Sequence, residues 1–257
     1  MTRRHLGHRR RFGMLALVLA GALTASACGG SSSASPSAPS PSFGIVQDRP
    51  VPDVPLVDQT GRPTSLAAFQ GKVVVLANFL SLCQDECPMI TGAFIAMQRD
   101  VQAAGLANRV AFLEVSIDPG RDTPARLAAY SQQFGANWPL LTGTPADLNR
   151  LWSFFGVSYQ QVPEEQPPKL DWWTHQPLTY DVTHTDGFVL LDPRGHERFI
   201  TANPPDLHGR LAPSLQGLLN DSGVNNLEHQ QAPNWTVPQA LGALGWLVGR
   251  PIPQTGG

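Results

Sequence analysis

Two cysteines separated by three residues, followed at once by proline, form the most reactive stretch of the chain: Cys83-Gln84-Asp85-Glu86-Cys87-Pro88. In an oxidising compartment such a pair is a disulfide, a dithiol redox couple or a metal site. The stretch follows the apolar run Val73 to Leu80 and precedes a helical pattern through Ile95, Met97 and Val101 to about Ala104. Both sulfurs therefore stand at the start of a helix, with Pro88 in its first turn. Amide N–H groups and the helix dipole there favour thiolate over thiol. Thiolates are soft ligands and suit Cu(I). Two of them leave a site open, so a metal needs a third ligand from elsewhere in the chain. A structural disulfide across so few residues would close a tiny loop and stabilise little. Asp85 and Glu86 read as solvated side chains that add local negative charge, and Met89 as a core residue on the helix face.

The compartment is read from the N-terminus. Arg3, Arg4, Arg9, Arg10 and Arg11 precede an apolar run from Phe12 to Leu23, then Ala25, Ser26, Ala27 and Cys28. That order is a secretory signal peptide over residues 1–27. The apolar run is short for a membrane span. Cys28 after small residues resembles a lipoprotein signal, with Ala25 where such signals usually carry leucine; Arg9, Arg10 and Phe12 give a weak twin-arginine resemblance. The expected protein is exported and anchored to the outer face of the cell membrane through lipid on Cys28. Residues 28–43, rich in Gly, Ser and Pro, contain too little apolar sequence to bury a core and are expected to be a disordered tether. With 42% hydrophobic residues and a net charge of -2, the chain as a whole has the composition of an ordinary globular protein. Its charge gives no argument for nucleic acid as a partner.

Strand and helix patterns alternate along residues 44–220. Val54 to Val57 reads as a strand, as do Val73 to Leu80 and Val110 to Ile117; Thr123 or Asp122 can cap a helix that begins near Pro124 and ends near Phe134. A helix is expected at Leu148 to Phe155. Phe188 to Leu191 and His196 to Thr201 form a hairpin about Asp192-Pro193-Arg194-Gly195, and a helix is expected over Pro205 to Leu219. This is an α/β plan, a central mixed sheet flanked by helices. With a cysteine motif between a buried strand and its helix, it points to a thioredoxin-like fold. Residues 160–180, with Trp172, Trp173 and His175, read as a long inserted loop. Residues 221–257 read as an extension with one short helix, Pro238 to Val248.

Four motifs in register carry a resemblance. Asn78-Phe79-Leu80-Ser81-Leu82-Cys83 through Cys87-Pro88 resembles the cysteine motif of the Sco/SenC copper proteins. Val115-Ser116-Ile117-Asp118-Pro119 with Arg121-Asp122-Thr123-Pro124 resembles that family's next strand-to-helix segment. Leu140-Leu141-Thr142-Gly143 matches as well, and Val182-Thr183-His184-Thr185 leading into Phe188 to Gly195 resembles the stretch with its histidine ligand. The match runs from about Val51 to Leu219. The resemblance implies that Cys83, Cys87 and His184 hold one copper ion, as Cu(I) or Cu(II), and that the protein delivers it to the dinuclear copper site of cytochrome c oxidase. Thiol–disulfide exchange through Cys83 and Cys87 is the alternative role. Asp118, at a strand end, is a candidate to support the ligands from behind or to cap the turn. His175 is a decoy or a weak fourth ligand, and His196, His208 and His229 read as surface residues. The Pro-x-x-x-Thr-x-x-Cys pattern of peroxiredoxins does not precede Cys83.

Overall fold

The structure is a computed structural model that describes residues 35–229 and 234–255, together with residue 2. The signal segment, Cys28 and the first part of the tether fall outside the described residues. Residues from Ser35 onward form one compact unit.

The chain enters on β1 (Ile45–Pro50), then turns through β2 (Leu56–Asp58) and β3 (Pro63–Thr64). β4 (Val73–Phe79) is buried along its whole length. A strand covered on both faces needs continuous rather than alternating apolar sequence, which is what VVVLANF supplies. α1 (Cys87–Ala103) crosses over to β5 (Val110–Ser116), which pairs parallel with β4 from Val73 opposite Val110 to Phe79 opposite Ser116. The buried face of α1 carries Met89, Ile90, Phe94 and Met97 onto the sheet. α2 (Pro124–Phe134) begins where the Thr123 side chain accepts the Arg126 amide, leads to β6 (Leu140–Thr142), and is followed by α3 (Pro145–Phe155), capped in the same way by Thr144.

The segment expected to be a long loop has strands at both ends. β7 (Tyr159–Pro163) and β8 (Tyr180–His184) pair antiparallel, with Tyr159 opposite His184. The stretch between them is pinned to the domain. Arg126 donates two hydrogen bonds to the Asp171 carboxylate, at 2.9 and 2.6 Å, both side chains being buried. The Trp172 indole N–H donates to the Ser81 carbonyl at 2.7 Å.

β9 (Phe188–Leu191) and β10 (His196–Thr201) form the expected hairpin, and β9 pairs antiparallel with β4. The eight-stranded sheet has the order β1-β10-β9-β4-β5-β6-β2-β3. Its centre is β4, whose C-terminal end feeds the cysteine loop.

The helix expected over Pro205 to Leu219 is largely absent. β11 (Pro205–Asp206) comes first, and only α4 (Pro213–Gln216) is helical. His208, with its amide held by the Asp206 carboxylate, and Gly209 both have positive φ, which no helix continues through. The extension adds α5 (Asp221–Glu228), β12 (Trp235–Thr236), which pairs with β11, and α6 (Val237–Val248). It packs on the same core: Trp235 is buried edge-on against Phe188 at 4.8 Å between ring centroids.

Between β8 and β9 the chain reverses at Gly187, whose φ is 128° and whose missing side chain leaves room for the Thr201 backbone. Any Cβ there collides with backbone and strains φ together. Gly187→Ala is expected to cost about 2 kcal/mol or more of folding stability, measured by urea denaturation of the two proteins side by side.

Candidate metal centre

The loop after β4 is held from several sides. Ser81 donates its amide and hydroxyl to Asp122, at 3.1 and 2.5 Å, while Ser116 donates to the other oxygen of that buried carboxylate at 2.6 Å. Asp122 thus ties the end of β4 to the end of β5, and burial pushes its pKa up to about 6. The loop closes with the Cys83 amide on the Leu80 carbonyl at 3.1 Å and the Cys87 amide on the Cys83 sulfur at 3.4 Å. This last contact is the helix-start N–H directed at a sulfur that the sequence predicts.

His184 ends β8, and its ring reaches over the loop. Its Nε2 lies 3.4 Å from the Cys87 sulfur. Its Nδ1 faces the Thr185 carbonyl at 3.3 Å, the Asp186 carboxylate at 3.3 Å and the Asn78 amide at 3.2 Å. Asn78 also donates to the Thr185 carbonyl at 2.9 Å, so β4 itself holds the histidine's backbone. With Nδ1 turned to the Thr185 carbonyl and the Asn78 amide, Nε2 is the ring nitrogen presented to the sulfurs. The two sulfurs and the imidazole nitrogen all lie within 4.8 Å of one another. Cys83 is 7% exposed, Cys87 fully buried, and the His184 side chain 4% exposed. Both cysteines are free thiols.

The charges in this pocket are unequal. A hydrogen bond from the Cys87 thiol, with help from the hydrogen bond and charge of His184, overcomes burial and lowers Cys83 to about 5. Burial and the adjacent Cys83 thiolate push Cys87 well above the usual thiol range. Burial opposes a charge on His184, but the Cys83 thiolate and Asp186 outweigh it and raise the imidazole to about 10. Burial raises Asp186 to about 7 and Glu86 to about 8. At neutral pH the site therefore holds a thiolate–imidazolium pair beside a protonated thiol.

Of the residues singled out from sequence, Cys83, Cys87 and His184 come together. Asp118 lies apart from the ligating atoms. It accepts from Arg121 at 2.5 Å and from the Tyr180 hydroxyl at 2.9 Å. It thereby fixes the first residue of the strand whose last residue is His184. Asp85 and Glu86 are half-buried rather than solvated, because α5 covers them: Asn226 donates to both, at 2.7 and 3.1 Å. Met89 is in the core, as expected. His196 and His208 pair with Asp48 and Asp206, and His175 and His229 are exposed. Sequence reasoning passed over Asn78 and Asp186. Asn78 is the one polar residue in an otherwise apolar central strand, a signal that was available; Asp186 sits two residues after the histidine.

A family model described as SCO1/SenC matches residues 47–211. The chain belongs to this family. A protein of Stutzerimonas stutzeri named for copper binding is 26% identical over 173 residues, covering 66% of this chain and 79% of that protein. The mitochondrial SCO2 homolog of Bos taurus is 29% identical over 143 residues, 56% of this chain. The chain spans half the length of that relative. Among solved structures, Arabidopsis thaliana ScoI with copper bound aligns with a TM-score of 0.51 at 22% identity, covering 59% of this chain and 87% of that one. Bradyrhizobium japonicum ScoI with copper bound aligns at 0.50 and 23%, covering 71% and 99%. The SCO1/SenC chain described here thus has the thioredoxin-like fold of these proteins.

The electrostatic asymmetry is open to measurement. Iodoacetamide should alkylate Cys83 of the metal-free protein at a rate that is half-maximal near pH 5, with Cys87 modified far more slowly at neutral pH. Mass spectrometry of the two sites across pH reads both. A midpoint for Cys83 near the free-thiol value of about 8.5 contradicts the thiolate–imidazolium pair.

Proposed function

We propose that this protein binds one copper ion through the sulfurs of Cys83 and Cys87 and Nε2 of His184, and carries it as cargo to an acceptor. The observation that carries this reading is the convergence of two sulfur donors and one imidazole, from two separate elements, within 4.8 Å. Two soft thiolates and a borderline nitrogen suit trigonal Cu(I), and the imidazole also accepts Cu(II). Membership of the SCO1/SenC family and a relative named for copper binding support the choice of metal.

Delivery proceeds by ligand exchange. An acceptor's thiolates replace the three donors one at a time, so no bare ion is released. Each step requires the departing donor to be satisfied otherwise: Cys83 by His184, Cys87 by a proton. We assign the acceptor as the copper-site subunit of cytochrome c oxidase, on the strength of the family. An export signal over residues 1–27 and a lipid on Cys28 would hold the domain, by its tether, near such a membrane-bound acceptor. Among the described residues no helix is long and apolar enough to cross a membrane.

A second reading has its own observation. A thiolate at Cys83 beside a protonated Cys87 is also the asymmetry of a dithiol that attacks a disulfide with one sulfur and resolves with the other.

Titration of the full chain with Cu(I) should saturate at one ion per chain. Cys83→Ser and Cys87→Ser are expected to abolish tight binding, and His184→Ala to weaken it by at least tenfold; wild-type affinity in the three variants sinks the site. His184→Ala separates the two readings: in a variant that has lost copper but keeps disulfide exchange on a model substrate, loss of function in the cell favours the carrier role and retained function favours the dithiol role.

Copper also stabilises the fold by mass action, about 2.7 kcal/mol at a hundredfold excess over Kd. A scanning calorimeter should register this as a rise in Tm. Uptake at pH 7 should expel protons, from Cys87 and His184, into weakly buffered solution. Copper uptake with no acidification would argue against these ligands.

A further inference from the structure

The part of the chain that lies over the cysteine loop follows the segment matched to the family. The matched segment ends at residue 211, and residues 217–226 then run across the loop. The Asn220 amide donates to the Gln84 carbonyl at 2.8 Å. Ser222 donates to Asp85 at 3.1 Å, and Asn226 donates to Asp85 and Glu86 at 2.7 and 3.1 Å. Gly223 lies directly on the loop backbone. A Cβ there would stand 2.5 Å from the Gln84 oxygen and 3.1 Å from the Asp85 Cα, so only glycine allows this approach. Lys169 from the β7–β8 connection donates to the Leu219 carbonyl and fastens the segment from the other side.

This crossing separates two openings that both reach Cys83. One cavity of about 250 Å³ has Leu82, Cys83, Lys169 and Trp172 on its wall, with Gly217 and Leu218 of the crossing segment. The other, of about 240 Å³, has Cys83, Glu86, His184 and Asp186, with Asn220 and Ser222. Cys83 is only 7% exposed and Cys87 fully covered, and the crossing segment forms part of the wall of both openings that reach Cys83.

We propose that residues 217–226 are a strap that positions the Cys83–Cys87 loop and must loosen before the metal can be exchanged, with Ser222, Gly223 and Asn226 as its fastening residues. The proposal rests on the copper-carrier reading and deepens it, since it assigns the control of exchange to a segment beyond the family core. Ser222 and Asn226 touch neither sulfur nor imidazole. They act on the ligands only through Asp85 and Glu86.

The test uses the full chain loaded with Cu(I) and mixed with excess bathocuproine disulfonate, whose copper complex is followed by absorbance. The Ser222→Ala/Asn226→Ala variant removes the fastening hydrogen bonds from half-exposed partners that water can satisfy. It should bind one copper as wild type does and release it at least tenfold faster, since it removes three hydrogen bonds to carboxyl groups, each worth roughly a fivefold factor or more. Gly223→Ala should act in the same direction by lifting α5. Hydrogen exchange distinguishes strap from general weakening: protection should fall at residues 82–87 and 220–228 and stay unchanged in β4 and β5. Release at the wild-type rate from the double variant overturns the proposal, as does loss of protection spread through the sheet. If the wild type takes up no copper, the carrier reading fails on its own, and alkylation of Cys83 by iodoacetamide then reads the strap. Faster alkylation in the double variant supports it, and equal rates refute it.

Discussion

The site depends on one tie between distant parts of the chain: the Asn78 side chain, inside the central strand, bonded to the Thr185 carbonyl. β4 delivers the cysteines from its end, and the same strand grips the backbone next to His184. The spacing of the three donors is therefore set by a single buried strand rather than by two loops meeting in solvent. A buried amide with no partner would be costly, so Asn78 enforces the position of Thr185 as firmly as Thr185 satisfies Asn78. The neighbouring buried acid Asp122, shared by Ser81 and Ser116, does the same for the cysteine side. Two polar contacts in an apolar layer thus hold the geometry that apolar packing, being non-directional, leaves loose.

Much of the architecture was legible because it follows from period and composition. The unbroken apolar run of β4, the proline at the start of α1, Thr123 ahead of α2 and the Asp192-Pro193-Arg194-Gly195 turn are local signals, and each appears where its physics requires. The cysteine pair announced its own chemistry, whereas His184 was legible only through its motif, since nothing local marks one histidine among several. The errors came where tertiary partners decide. Pro205 to Leu219 has helical residues, but β12 arrives from thirty residues downstream to pair with β11. α5 was not expected in the extension; it forms through the Asn220 cap on the Gly223 amide and the burial of Leu227. Asp85 and Glu86 were read as solvated for the same reason, since their cover lies in a segment that local pattern could not bring to them.

Under the proposed carrier role, burial and exchange pull against each other. Enclosing sulfur and imidazole keeps a metal from water and strengthens charge–charge contacts, yet the same enclosure slows an acceptor's approach. The chain resolves this by placing its rigid elements on one side of the cysteine loop and its late, lightly fastened segment on the other. β4, β5 and the Arg126–Asp171 pair are deep and cooperative, whereas the cover is a short helix held by a few polar bonds. Local stability in proteins is uneven in just this way, with the lowest barriers to opening at functional sites.

The indole of Trp172, hydrogen-bonded to Ser81, rests two residues from Cys83 and beside the rings of Tyr130 and Phe134. That places a natural fluorophore against the metal-bearing loop, with its dipole coupled to the loop's own backbone. A rearrangement of that loop would change the surroundings of this indole, so its ultraviolet emission is the natural place to look for one.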